Sequence, residues 1–205
     1  MKTYPPIPRS TGQDFREFDA YVFDKLDGSN LRFEWSRKRG WYKYGTRHRM
    51  FDQTDPDFGP AIPLFQDTLA PRLGAIARDE QWQGLVVFAE YWGPQSFAGL
   101  HVPGDAMNLT VFDVAPYKKG IMGPREFLKR IAPSVPTPRF LGTQRWTRGF
   151  VERIWRGELD TAFEGVVGKG GDGRHLVMRK AKTKAWVDKV LARYGEDQGR
   201  KIVES

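Results

Sequence analysis

Tyr21-Val22-Phe23-Asp24-Lys25-Leu26-Asp27-Gly28-Ser29-Asn30-Leu31-Arg32-Phe33 is the stretch from which the rest of the chain can be interpreted. An apolar run leads into Lys25, a glycine turn follows, and Leu31-Arg32-Phe33-Glu34-Trp35 alternates apolar and polar as a second strand. The pattern predicts strand, loop, strand, with Lys25 displayed at the end of the first strand. A lysine presented there on a rigid sheet can act as a nucleophile. Gly28 allows the backbone to approach a phosphate or a base more closely than a Cβ would permit. Taken alone, a K-x-D-G tetrad also describes an ordinary hairpin with a surface lysine, so the neighbouring segments carry the decision.

Before the hairpin, Met1 to Thr11 is proline-rich and reads as an irregular lead-in. After it, the chain turns through Ser36-Arg37-Lys38-Arg39-Gly40 into a third strand, Trp41 to Tyr44, and a basic loop, Gly45 to Arg49. Ile62, Phe65, Leu69, Leu73 and Ile76 recur at helical spacing between Pro60 and Arg78, with Pro71 marking a break or kink. Leu85 to Tyr91 and Leu109 to Val114 are apolar strands. Pro124 opens a short helix through Ile131, Pro133 to Pro138 is a connector, and Thr147 to Arg156 is a further helix. Phe163 to Lys169 and His175 to Lys180 form a hairpin around Gly170-Gly171-Asp172-Gly173, a plain turn because a strand and not a helix follows it. Lys184 to Tyr194 is an amphipathic helix on Trp186, Val187, Val190 and Leu191, and the polar tail after Gly195 reads as frayed. Strands and helices mix without regular βαβ alternation and without a clean linker. The expected architecture is α+β, antiparallel sheets flanked by helices, in one domain over residues 1–205.

Composition narrows the function classes. The chain has 205 residues, 40% hydrophobic, with seven Trp and fourteen Phe, enough for a sizeable core. No apolar run approaches the roughly 18 residues of a membrane span, and no signal-peptide pattern opens the chain. There are no cysteines, which excludes disulfides and thiolate metal sites and is compatible with a reducing cytoplasm, the expected location. A net charge of +8 favours polyanionic partners, nucleic acid first. His48, His101 and His175 show no metal-ligand spacing and read as structural or surface residues.

Four further segments place polar groups at the ends of apolar strands, as the first one does. They are Phe88-Ala89-Glu90-Tyr91-Trp92-Gly93, Thr110-Val111-Phe112-Asp113-Val114, Phe163-Glu164-Gly165-Val166-Val167-Gly168-Lys169 and Val177-Met178-Arg179-Lys180-Ala181-Lys182. With Lys25 and the Thr46-Arg47 loop, their order resembles the covalent nucleotidyltransferase superfamily of polynucleotide ligases and capping enzymes, from about Tyr21 to Trp186. Each motif alone is weak; five in order are strong. Within that superfamily the chain looks most like ATP-dependent RNA ligases of the double-strand nick-sealing type. Gly28-Ser29-Asn30-Leu31 looks like their Gly-Thr-Asn-Phe, where DNA ligases and capping enzymes carry an arginine at the position of Asn30. Asp27 departs from the pattern, since several of those RNA ligases have histidine there and DNA ligases have aspartate.

The resemblance implies an adenylyltransferase domain with no appended C-terminal domain, since few residues follow Lys182. Lys25 would attack the α-phosphate of ATP and become a lysyl-adenylate, then pass AMP to a 5′-phosphate that is sealed to a 3′-hydroxyl. An unperturbed lysine titrates near ~10.4. Divalent cations and the charges of Lys180 and Lys182 favour its neutral form, while Asp24 and Asp27 oppose it. Glu164 is suited to hold Mg²⁺ or Mn²⁺ through oxygen. Lys180 and Lys182 share one strand face, because strand side chains repeat every two residues, and both can grip the α-phosphate. Glu90 can accept hydrogen bonds from ribose hydroxyls, Phe112 can stack on adenine, and Arg47 can bind a phosphate or ribose. Asp24 joins the nucleotide-binding set, and Asn30 is assigned to the 5′-phosphate of the RNA by the resemblance alone, with Arg47 beside it. The expected cofactors are ATP and Mg²⁺ or Mn²⁺. The expected partner is RNA, a nicked duplex; the C-terminal domain is either dispensable, or replaced by a partner protein, or its lack leaves the first and third steps poorly balanced. The alternatives are a minimal ATP-dependent DNA ligase, which Asp27 permits and Asn30 disfavours, a catalytically idle nucleic-acid-binding module, and a small capping-type guanylyltransferase.

Overall fold

The computed structural model describes residues 3–10 and 15–204, apart from the side chain of residue 174. Met1, Lys2 and Thr11 of the lead-in and the terminal Ser205 lie outside the described residues. The strands are β1 (Phe18–Lys25), β2 (Ser29–Ser36), β3 (Gly40–Thr46), β4 (Met50–Phe51), β5 (Gly84–Trp92), β6 (Asn108–Pro116), β7 (Phe140–Trp146), β8 (Gly165–Gly170) and β9 (Val177–Lys182). The helices are α1 (Ala61–Thr68), α2 (Ala70–Asp79), α3 (Pro124–Arg130), α4 (Arg148–Trp155) and α5 (Lys184–Glu204). All named pairings are antiparallel, so the α+β class expected from the sequence is what forms. No helix among the described residues is long and apolar enough to cross a membrane.

The described residues fall into two compact units. One comprises Met1–Tyr4, Gly28–Thr137 and Asp172–His175. Its sheet has the order β4-β3-β2-β5-β6. Leu31, Phe33 and Trp35 pair with Ala89, Val87 and Leu85, and because strand side chains alternate, these six share one face. That face is fully buried, with Ile62 and Phe65 of α1, Leu73 and Ala77 of α2 and Phe127 of α3 in the same core. Phe33 and Phe65 stack with centroids 3.9 Å apart. The long helical pattern from Pro60 to Arg78 is split at Leu69, and Pro71 sits in the first turn of α2, where a missing N–H is tolerated. The opposite face carries Asn30, Arg32 and Glu34 beside Glu90, Phe88 and Val86. A register shift next to Phe88 and Ala89 leaves Phe112 as the extra residue on β6. Gly28 is packed against the Tyr91 backbone, and a Cβ there would also meet Trp92 Cβ at 2.8 Å. Its glycine is therefore required by β5 itself, apart from any ligand.

The other unit comprises Pro5–Asp27, Pro138–Gly171 and Leu176–Ser205. Its sheet has the order β7-β1-β8-β9. Ala20, Val22, Val166 and Ala181 bury one face with Trp146, Phe150 and Ile154, which makes α4 the cover of that side. β7 lies in a segment that the sequence leaves unassigned: Phe140 to Trp146 carries no clean alternation and is interrupted by Gly142, and pairing with β1 makes it an edge strand. The tail after Gly195 is also not frayed: the chain turns at Gly195 (φ 74°, ψ 174°) and resumes as helix. Gly199 then packs on Leu191, and Val203 is buried.

Thr147 caps α4, its hydroxyl oxygen accepting from the Phe150 N–H at 3.1 Å. Thr147→Ala is expected to lower stability by about 1 kcal/mol. An unchanged urea midpoint, at an unchanged slope, would show that the cap contributes nothing.

Candidate active site

β1 ends on Lys25 because the apolar alternation Val22-Phe23 runs out there, and β8 and β9 lie beside it in a register that gathers charge. Lys25 is opposite Gly165, and Gly165 is opposite Lys182; one rung earlier along β1, Phe23, Val167 and Lys180 are aligned. Paired residues point to the same face. Lys25, Lys180 and Lys182 are therefore displayed together, on the face opposite the α4 core. The paired-strand spacing places Lys25 and Lys182 about 10 Å apart at the backbone, across the bare rung of Gly165. Glu164 lies just before β8 and is 4% exposed.

Glu164 joins the two lysines. Its Oε2 is 2.7 Å from Lys25 Nζ and its Oε1 is 3.1 Å from Lys182 Nζ. Glu164 and Lys182 are both buried, which removes the solvent screening that makes surface pairs weak, whereas Lys25 is only partly buried. Lys182 is 5% exposed. Burial pushes its pKa down to about 8, Glu164 acts against that shift, and the positive charges of Lys25 and Arg9 add to it. Lys182 Nζ also donates to the Ile202 carbonyl at 3.4 Å and lies 4.1 Å from the Trp186 ring centroid. Lys180 is likewise buried, and its backbone is clamped by the lead-in, whose Pro8 carbonyl accepts its N–H at 3.1 Å.

Asp24 faces a different set of groups. Its Oδ2 accepts from Arg139 Nε at 2.8 Å and its Oδ1 from the Ala162 N–H at 2.6 Å. Arg139 also donates to Asp160, and the two carboxylates raise its already high pKa. Asp24 thereby ties the end of β1 to the segments that precede β7 and β8.

Asn30, Arg47, Glu90 and Phe112 belong to the first unit. Asn30 is opposite Glu90 across β2 and β5, on the face away from the helical core, and Glu90 is opposite Thr110. Phe112 packs edge-on against Tyr4, centroids 5.0 Å apart. The Tyr4 hydroxyl donates to Asp113, and burial, with that carboxylate, raises the tyrosine pKa well above its ordinary value. Arg47 Nε is buried without a hydrogen-bond partner. Arg32 Nε and Nη1 are buried in the same way, while its Nη2 donates to Met50 Sδ at 3.9 Å, and Glu34 Oε1 is unpartnered; desolvation lowers the arginine pKa and Glu34 opposes the shift. Among the basic residues, Lys182 is buried and Arg49 is paired with Asp55.

Several residues of these surroundings escaped sequence reasoning. Lys169, 4% exposed, shares the face of Lys25 and lies over the Phe23 ring at 5.3 Å. The two-residue period from Gly165 through Val167 could have indicated it. Trp186 reads only as helix core, and Tyr4 stands in a proline-rich stretch with no period. His101 bridges two hydroxyls, Ser29 Oγ at its Nε2 and Ser96 Oγ at its Nδ1, each at 3.0 Å. No sequence signal links those three positions.

Among the described residues no group of three or more His, Asp or Glu is placed to hold a metal ion. Glu164 pairs with both Lys25 and Lys182. That suits a cation bound mainly through nucleotide phosphates and water, the usual habit of Mg²⁺, and does not suit an all-protein cage.

Comparison with solved structures gives the class of fold. Two structures of an archaeal ATP-dependent RNA ligase, form 1 and form 2, superpose with TM-scores of 0.67 and 0.65 at 18% identity. They cover 99% and 94% of this chain and 56% and 51% of their own. A Naegleria gruberi RNA ligase solved with ATP and Mn matches with a TM-score of 0.61 at 16% identity, over 83% of this chain and 51% of its own. No protein-family model and no curated protein matches the chain. The likeness shows the fold, which is the nucleotidyltransferase fold of RNA ligases. This chain spans about half the length of the ligases it matches.

Proposed function

We propose that this protein is an ATP-dependent RNA ligase that works through a lysyl-adenylate on Lys25. The observation that carries the reading is the pair of lysines, Lys25 and Lys182, held on the two oxygens of Glu164 within that fold. Neutral Lys25 Nζ attacks the α-phosphorus of ATP; a P–N bond forms as the P–O bond to pyrophosphate breaks, and the nitrogen gives up a proton to water. The Lys182 charge nearby favours the neutral amine, and Glu164 opposes it. AMP then passes to the 5′-phosphate of an RNA strand, and a 3′-hydroxyl displaces it. Lys180 and Lys182 hold the α-phosphate, Glu90 the ribose, Phe112 the adenine face, Arg47 a phosphate or ribose, and Asn30 the 5′-phosphate. Asp24, with both oxygens engaged, contributes by fixing the strand that ends in Lys25. Glu164 would help the nucleotide phosphates and water to hold a divalent cation, which would supply charge neutralisation there.

The substrate follows from the same reading. Asn30 in place of arginine supports RNA at a duplex nick, and a 2′-hydroxyl on the strand supplying the 3′-end is what tells RNA from DNA. Nicked duplexes with RNA or DNA on each side of the break should seal at least about 10-fold faster when the 3′-hydroxyl strand is RNA. Equal or faster sealing of an all-DNA nick would transfer the reading to a DNA ligase, which Asp27 permits.

A further inference from the structure

We propose that Trp186 is a positioning residue that links the loop of Lys25 to Lys182: its indole N–H holds the Asp27 carboxylate while its ring carries the Lys182 ammonium. This rests on the ligase reading above and adds to it a residue outside the recognised motifs. Trp186 is in the first turn of α5 and is 1% exposed. Its Nε1 donates to Asp27 Oδ2 at 2.6 Å. Asp27 is two residues beyond the nucleophile, in the loop that leaves β1.

Three further bonds bring Glu164 into the same assembly. The Trp186 N–H donates to Thr183 Oγ1 at 3.2 Å, that hydroxyl donates to the Phe163 carbonyl at 2.7 Å, and the Thr183 N–H donates to the Glu164 carbonyl at 3.0 Å. The reactive loop and the phosphate-gripping lysine thus meet at one indole, and the backbone N–H of the same residue reaches the Glu164 backbone through Thr183. Tryptophan combines the best π-face for an ammonium with an N–H donor fixed in the ring plane. A residue that only filled space would need neither the N–H aimed at a carboxylate nor a lysine over its face.

The test is a double-mutant cycle on single-turnover formation of the Lys25 adduct, with a second readout that needs no ATP. Trp186→Phe keeps the ring and loses the donor; Asp27→Ala loses the acceptor; Asp27→Asn keeps an oxygen acceptor. Trp186→Phe and Asp27→Ala should each slow the maximal rate about 10-fold with little change in KM for ATP, as expected for a misplaced reactive group. The double variant should also be slowed about 10-fold, since both changes break one link. Asp27→Asn should recover part of the loss. Trp186→Leu, which also removes the ring, should in addition raise KM for ATP about 5-fold. In ¹⁵N spectra the Trp186 indole proton should exchange slowly in the unmodified protein and faster in Asp27→Ala.

A double variant slowed by the product of the two single effects, about 100-fold, overturns the proposal, as does a wild-type rate in Trp186→Phe. An indole resonance indifferent to Asp27→Ala overturns it even if no variant can be assayed. An unmodified protein that forms no adduct with ATP overturns the ligase reading instead, and the indole measurement still judges the link.

Discussion

Lys25→Ala protein is expected to accumulate no covalent AMP, a loss of at least about 10³-fold in adduct formation, on the scale seen when a catalytic nucleophile is deleted. The unmodified protein, incubated with ATP and Mg²⁺ or Mn²⁺, should gain one adenylyl group on Lys25, and mass spectrometry of its peptides locates it. Lys25→Arg should fail equally, because a guanidinium stays protonated and cannot attack phosphorus. The fold should survive. Removing Lys25 leaves Glu164 still paired with Lys182 at 3.1 Å, so no buried carboxylate is stranded. Lys25 is also the more exposed of the two partners in its own pair. Melting close to that of the unmodified protein is therefore part of the expectation. Label persisting on Lys25→Ala protein would sink the mechanism, and so would its absence from the unmodified protein with either metal.

Gly165→Ala should be the most damaging substitution of a single small residue. Gly165 has φ +141°, a region essentially closed to residues with a Cβ. A Cβ there would strike the Ala181 carbonyl and lie 2.8 Å from Lys182 Cα, both of them backbone that cannot swing away. Strain and overpacking together cost about 2–6 kcal/mol, against a total stability of roughly 5–15 kcal/mol. The fall in Tm should be on the order of 10 °C for a chain of this size. Relief of the clash requires β9 to move, and Lys182 moves with it, so adduct formation should fall even in the protein that remains folded. Gly149→Ala is the matched control: nothing lies within 4 Å of its added methyl, and it sits in α4. There alanine should be neutral or stabilise by about 0.5–1 kcal/mol. Equal melting of the two variants would show that the turn into β8 tolerates a side chain, and with it that the Lys25–Gly165–Lys182 rung is not rigid.

The two expectations differ in where they were visible. Lys25 stands out in the sequence because an apolar run, a glycine turn and an alternating strand surround it. That Lys180 and Lys182 share a face was legible for a similar reason, since a period of two assigns them to one face whatever the strand pairs with, whereas Glu164 was singled out by its place beside Gly165 and by the resemblance. The principal core strands and the helices α1 to α4 came from the same local signals. Pro71 shows the limit, since proline marked a break but only packing placed it at Leu69, where α2 could use the proline in its first turn.

By itself, then, the sequence determined the class of fold, the strand that presents Lys25, and that Lys180 and Lys182 share one face with each other, because these depend on periods of two and 3.6 residues within short segments. Only the tertiary structure decided which oxygen of Glu164 each lysine takes, that Asp24 is held by Arg139 and the Ala162 N–H, and that Trp186 joins Asp27 to Lys182. It also made an edge strand of Phe140–Trp146 and returned the segment after Gly195 to a helix beside Lys182. Each of these is a contact between residues far apart in the chain. Register and long-range pairing create such contacts, and neither leaves a repeat in the sequence near the residues it joins.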